Sequence, residues 1–263
     1  MLDLLALCLQ LSHPLPSVPD KLCSSVQLEA SGAVSVLGRP ILLRDVVANT
    51  VSAVVAEVPK RRVLVLGGIH GDERSASSLV FHWIGHAQAT PAETHWRFIP
   101  GLNPDGLLVQ PPRRTNANGV DLNRNFPTPD WQRDAVSYWA IKTKKDPRRY
   151  PGKEPLSEPE SKFLFEQIKS FKPDIIVSIH APFGVLDFDG PSTPPHKLGR
   201  LYLDQVGIYP GSLGNYGGVT LGIPVVTVEL PHAAKAPTTP EMRQMWLDLV
   251  RWMSAHPIKT TTR

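Results

Sequence analysis

Apolar residues fall along this chain in two rhythms. Short, largely apolar runs, at Val63 to Leu66, Asp174 to Ile179 and Val225 to Val228, read as buried strands, since a strand covered on both faces has little polar side to show. Other stretches carry apolar residues three and four apart. Asp72 to Gln88 places Leu79, Val80, Trp83 and Ile84 on one side, and Glu241 to Met253 does the same with Met245, Trp246, Leu249 and Trp252. Both spacings predict helices. Ser157-Glu158-Pro159-Glu160 opens another, with proline in its first turn and acids near its N-terminus, running through Phe163, Leu164, Phe165 and Ile168. Ala33 to Leu37 and Ile41 to Leu43 flank Gly38-Arg39-Pro40 and predict a hairpin. Val51 to Val58 and Trp96 to Pro100 suit further strands, and Asn103-Pro104-Asp105-Gly106 is a turn signal. Residues 110–150, rich in Pro, Asn, Arg and Gly, read as mostly loop. Residues 1–25 read as a leader or irregular segment, 26–257 as one catalytic domain and 258–263 as a tail. Strands alternating with helices predict a single α/β domain, its sheet flanked by helices on both faces.

Composition narrows this picture only a little. At 263 residues and 41% hydrophobic content the chain can bury a sizeable core. Its net charge of +4 is modest, and no aromatic-plus-basic pattern points to nucleic acid. No apolar run is long enough to cross a membrane. The two cysteines, Cys8 and Cys23, lack CxxC spacing and make neither a disulfide framework nor a cysteine zinc site. A cytoplasmic location is expected. The short apolar stretch Leu4 to Leu11 leaves a periplasmic alternative, should it be a signal peptide.

The chemistry sits where the strands end. In open α/β sheets ligands bind beyond the carboxyl ends of strands. Arg62 to Ile69 leads into His70, with Glu73 three residues on; Asp174 to Ile179 leads into His180; Pro224 to Val228 leads into Glu229. Imidazole nitrogen and carboxylate oxygen both suit zinc, and two His with one Glu leave a position for water. A fourth cluster, Asp121-Leu122-Asn123-Arg124-Asn125, could grip a substrate carboxylate through Asn123 and Arg124, with Asp121 accepting a hydrogen bond from a zinc-bound imidazole.

Taken in order, His70-x-x-Glu73, Asp121-x-Asn123-Arg124-Asn125, His180 and Glu229 resemble the zinc metallocarboxypeptidases. Gly67 to Glu73, Asn103 to Gly106 and Ser157 to Glu160 add to the likeness. Asn116 to Pro127, His180-Ala181-Pro182 and Pro210 to Gly214 look like the branch that cleaves murein peptides. The resemblance implies a twisted, mixed, mainly parallel central sheet. It also implies one zinc ion on His70, Glu73 and His180, with Asp121 orienting His70 and Glu229 as general base. Asn123 and Arg124 would hold the carboxylate of the released residue. The implied substrate is a small murein peptide, cut at the γ-D-glutamyl–meso-diaminopimelate bond. The animal digestive members carry a carbonyl-polarising Arg where Pro111 stands here, so Arg113 or Arg114 would substitute. Their mobile Tyr has no clean counterpart, although Tyr209 and Tyr216 are nearby. Competing expectations are an N-acyl amino-acid deacylase of the aspartoacylase type, an exported cell-wall carboxypeptidase, and an inactive peptide-binding relative.

Overall fold

The computed structural model describes residues 3–47, 61–89 and 94–256. Its centre is a seven-stranded sheet built from β1 (Glu29–Val34), β2 (Pro40–Val46), β3 (Arg61–Leu66), β4 (Thr94–Ile99), β5 (Ile175–His180), β6 (Leu186–Asp189) and β9 (Val225–Glu229), in the order β1-β2-β4-β3-β5-β9-β6. The four inner strands β4, β3, β5 and β9 run parallel, and the outer pairings are antiparallel. The short strands β7 (Lys197–Leu198) and β8 (Leu201–Tyr202) form a separate ribbon. The helices are α1 (Leu4–Ser12), α2 (Asp20–Val26), α3 (Arg74–Ala89), α4 (Pro104–Leu108), α5 (Val136–Ile141), α6 (Pro159–Phe171) and α7 (Thr239–Ala255).

Alternation along the strands splits the core in two. Val63, Val65, Ile175, Val177, Ile179, Val226 and Val228 face one way and pack with the apolar stripes of α3 and α7. Leu64, Leu66, Ile176 and Val225 face the other way, against Phe163 and Leu164 of α6 and against Phe126, Leu213 and Tyr216. Because both faces are covered, β3, β5 and β9 are largely apolar up to their carboxyl ends. The expected helices form with shifted ends, α3 from Arg74 rather than Asp72 and α7 from Thr239 rather than Glu241; Pro159 and Pro240 sit in first turns, and Thr238 with Glu241 closes a capping box on α7.

Several expectations need correction. The hairpin forms with Val34 opposite Pro40, but its first strand lies earlier than Ala33 to Leu37. Asn103 accepts a hydrogen bond from the Gly106 amide and caps a helix, so the expected turn continues into α4. Within the expected loop, a π-helical turn at Trp131–Ala135 leads into α5. The strand expected at Val51 to Val58 lies outside the described residues, as does the tail. The N-terminal segment is not irregular. Its helices α1 and α2 bury Cys8, Leu11, Cys23 and Val26 in the main core, their connection adds Leu15, and a disulfide joins Cys8 to Cys23. The missing CxxC spacing was no obstacle, because folding back α2 supplies the proximity that local sequence does not.

Two expected outcomes follow from these contacts. Replacing Cys8 and Cys23 together by serine should lower unfolding free energy by about 2–4 kcal/mol in denaturant titration, the scale for closing a loop of this length. The second concerns Asp45, paired on both oxygens by Arg97 across β2 and β4 at 2.6 and 2.8 Å. Burial opposes its ionisation, but Arg97 and His95 outweigh burial and hold the carboxyl down at about 2. The folded value is depressed, so the stabilisation is present above the ordinary value of 3.8 and is lost as pH falls through about 2. Asp45→Asn should therefore cost about 1–2 kcal/mol at pH 7, after allowance for solvent screening, and progressively less in titrations below pH 4.

Candidate metal centre and its cleft

The carboxyl ends of β3, β5 and β9 lie side by side, with His180 in register with Glu229. After β3 the chain turns at Gly67 and Gly68, the latter at a positive φ of 64°, and delivers His70. A Cβ on Gly71 would come within 2.1 Å of the Gly106 carbonyl carbon. The turn that holds His70 and Glu73 is thus pressed directly against the start of α4, and only glycine fits there.

His70, Glu73 and His180 converge, with one donor atom from each lying within 4.8 Å of the others. The Nδ1 atoms of the two imidazoles are 3.3 Å apart. Glu73 reaches between them, with Oε1 2.8 Å from His70 Nδ1 and Oε2 3.0 Å from His180 Nδ1. Each outer nitrogen has its own oxygen partner: Asp121 Oδ1 lies 3.1 Å from His70 Nε2, and Ser178 Oγ lies 2.9 Å from His180 Nε2. This donor set fits zinc, and the outer partners fix both rings with Nδ1 aimed inward.

Charges surround the cluster in pairs. Arg114 donates to Asp121 at 3.0 Å and lies 3.4 Å from Glu73 Oε1. Burial raises the pKa of Glu73, but His70 and His180 outweigh it and the net shift is downward. Burial likewise opposes Asp121, yet Arg114 and His70 hold it well below the carboxylate range. Burial and Arg114 push His70 down, while Glu73 and Asp121 pull it up and prevail. Glu229 differs. Burial, aided by Glu73, shifts it upward against the two imidazoles, and its Oε2 is buried with no hydrogen-bond partner. A carboxylate left this way is poised to accept a proton.

The cluster opens into a cleft of about 410 Å³ that contains every expected site residue except Asp121 and Arg113. Asp121 is fully buried behind His70, and Arg113 is exposed outside the cleft, so the structure brings only Arg114 of the two arginines to the centre. Arg124 is 7% exposed and lies under the Tyr209 ring at 4.3 Å. Asn123 Oδ1 accepts the Leu213 amide, leaving its NH2 group for the cleft. Gly211, at φ 76°, allows the chain to pass close to Arg124, where a Cβ would sit 2.1 Å from its carbonyl oxygen.

Further cleft residues had not been singled out in the sequence: Asp72, Arg148, Arg149, Asp187, Asp189 and Thr227. Arg148 reaches Asp72 at 2.8 Å across the mouth. Ser178 was also missed, hidden inside an apolar run. Its alternation with His180, two residues on and therefore on the same sheet face, was the signal available.

The sequence profile of the zinc carboxypeptidase family matches residues 22–186, which include His70, Glu73 and His180 and stop short of Glu229. The murein peptide amidase A of Escherichia coli strain K12 is 32% identical over 201 residues, covering 74% of this chain and 80% of that protein. The crystal structure of the murein-tripeptide amidase of Escherichia coli O157 superposes with a TM-score of 0.61 at 27% identity, over 88% of this chain and 93% of that one. The carboxypeptidase A of Helicoverpa armigera, at 17% identity and TM-score 0.67, shares the fold over 88% of this chain and 69% of its own.

Removing a donor should empty the centre. Glu73→Ala and His180→Ala should each abolish retention of zinc through gel filtration, read by elemental analysis. Ser178→Ala should keep the fold and weaken zinc affinity by about 10–100-fold in chelator competition.

Proposed function

This chain belongs to the zinc carboxypeptidase family and is a zinc metallopeptidase, and on that premise we propose that it hydrolyses murein peptides at the γ-D-glutamyl–meso-diaminopimelate bond. One observation carries the reading. A metal-competent His70-Glu73-His180 cluster, a partnerless buried oxygen on Glu229 and the buried cation Arg124 all line one cleft. Its relatives named as murein peptide amidases support the substrate class.

Zinc held by His70, Glu73 and His180 supplies a Lewis acid that acidifies water and polarises a carbonyl. The protein's own groups do the rest. Arg124 and the Asn123 NH2 group bind the carboxylate beside the scissile bond, which sets that bond at the centre. Glu229 takes a proton from the attacking water. As the water oxygen bonds to the amide carbon and the C–N bond breaks, Glu229 returns that proton to the leaving nitrogen. Arg114 presents positive charge to the oxygen that becomes negative. Asp121 keeps His70 in one ring orientation.

A second reading concerns where this happens. The cytoplasmic expectation and the exported alternative divide on the Cys8–Cys23 disulfide, a bond that persists mainly in oxidising compartments. It supports export of the same chemistry with Leu4 to Leu11 kept as part of α1 rather than removed as a signal peptide, because Cys8 lies within that stretch. Alkylating free thiols as cells are dissolved in denaturant tests this, because both cysteines are buried in the folded chain: unmodified cysteines favour export, alkylated ones the cytoplasm.

The reaction itself is checked with purified protein and L-Ala-γ-D-Glu-meso-diaminopimelate, the products weighed by mass spectrometry. Free diaminopimelate should appear, and a chelator should stop its release. Glu229→Gln should retain zinc while kcat falls by about 10²–10⁴-fold. Undiminished turnover by that variant would remove Glu229 from the mechanism.

A further inference from the structure

The cleft runs past the metal centre down one face of the sheet, and what lines its far end is unexpected for a core. On β9, Glu229, Thr227 and Val225 share that face, and on the antiparallel neighbour β6 their partners across the ladder are Asp187 opposite Thr227 and Asp189 opposite Val225. The strand pair therefore carries the cleft about 13 Å from the level of Glu229 to that of Asp189. Phe188, between the two acids, turns to the opposite face and packs on Trp252.

The two acids are not equivalent. Asp187 Oδ1 accepts the Phe188 amide at 2.9 Å, and the Val206 amide also favours its charge. Asp189 has nothing of the kind. It is 8% exposed, it lines the cleft, and among the described residues no donor and no cation reaches its carboxylate. Burial and then Asp187 push it up to about 6. The surrounding chain is shaped to admit it. A Cβ on Gly214 would lie 2.0 Å from Asp189 Oδ2, and one on Gly218 would lie 2.5 Å from Asp189 Cβ. A buried carboxylate kept free of partners, in a cleft that Arg124 also lines, is matched by a cation from outside.

We propose that Asp189 is a specificity-determining residue that receives the side-chain ammonium of the residue released by cleavage, with Asp187 adding negative charge beside it. The inference rests on the peptidase reading of the same cleft and names the side chain that reading leaves open. Arg124 takes the carboxylate beside the cut bond, Asp189 takes a primary amine at the far end of the side chain, and an amino-bearing residue such as diaminopimelate satisfies both. A residue with the same carbon chain and no amine leaves Asp189 buried and alone.

The experiment compares two tripeptides with the zinc-loaded enzyme: one ending in meso-diaminopimelate, the other in 2-aminopimelate, which keeps both carboxylates and lacks the side-chain amine. Wild-type kcat/KM should favour the first by about tenfold or more, the range for a hydrogen bond to a charged group, and Asp189→Asn should collapse that ratio toward one. In parallel, calorimetry on the zinc-loaded protein measures binding of free meso-diaminopimelate and 2-aminopimelate, which needs no turnover and no variant. Amine-dependent binding without cleavage of either peptide would overturn the murein reading and keep the role of Asp189. Equal binding with and without the amine in the wild type, or a preference that survives Asp189→Asn, would overturn the role of Asp189 whatever the peptide assay shows.

Discussion

Three carboxylates, two imidazoles and a guanidinium leave water together at the ends of three parallel strands, and each must meet an opposite charge or a donor there. Glu73 meets two histidines, Asp121 meets His70 and Arg114, and Arg114 closes the ring by reaching back to Glu73. Breaking such a ring by removing one member strands a buried charge, which costs far more than the ring contributes as a whole. Glu229 is the member left with a free oxygen, and that exception is where the chemistry is placed.

The sheet makes this arrangement possible by a change of character along one face. Near the helix α6 the face is Leu64, Leu66, Ile176 and Val225. Towards the carboxyl ends the same face becomes Ser178, His180, Thr227 and Glu229, with Asp187 beside them on β6. The apolar half anchors the strands in register. Register then fixes the polar half, because a slip of one residue would turn every one of those side chains to the opposite face. Positioning of the centre is thus inherited from ordinary core packing, and glycines at 71 and 211 let neighbouring segments approach close enough to complete it.

How much was legible in the sequence follows from this geometry. His70, His180 and Glu229 could be read because each follows a short, largely apolar run, and α3, α6 and α7 because their stripes repeat at helical spacing. Asp121 to Asn125 was visible as a dense polar cluster. Asp189 was not, because β6 is only four residues long and its Leu-Asp-Phe-Asp alternation resembles an exposed edge until β9 and Gly214 are placed against it. Arg113 and Arg114 are indistinguishable as neighbours, and only the direction of the folded chain sends one inward and the other out. The N-terminal helices were misread for a related reason. Leu11 packs near Gly101, ninety residues away, and Arg74 donates to the Pro14 carbonyl, so their order comes from distant partners rather than local pattern.

The covalent link between α1 and α2 has a consequence for how this protein breaks. The connection between them passes through His13, Ser17 and Pro19, all exposed, with Ser17 at a positive φ of 65°. Such a tip is where a protease first finds an accessible bond. A cut there opens the backbone inside the ring closed by Cys8 and Cys23, so both fragments stay attached and α1 keeps its seat. Nicked and intact molecules would then migrate together on a non-reducing gel and separate only after reduction.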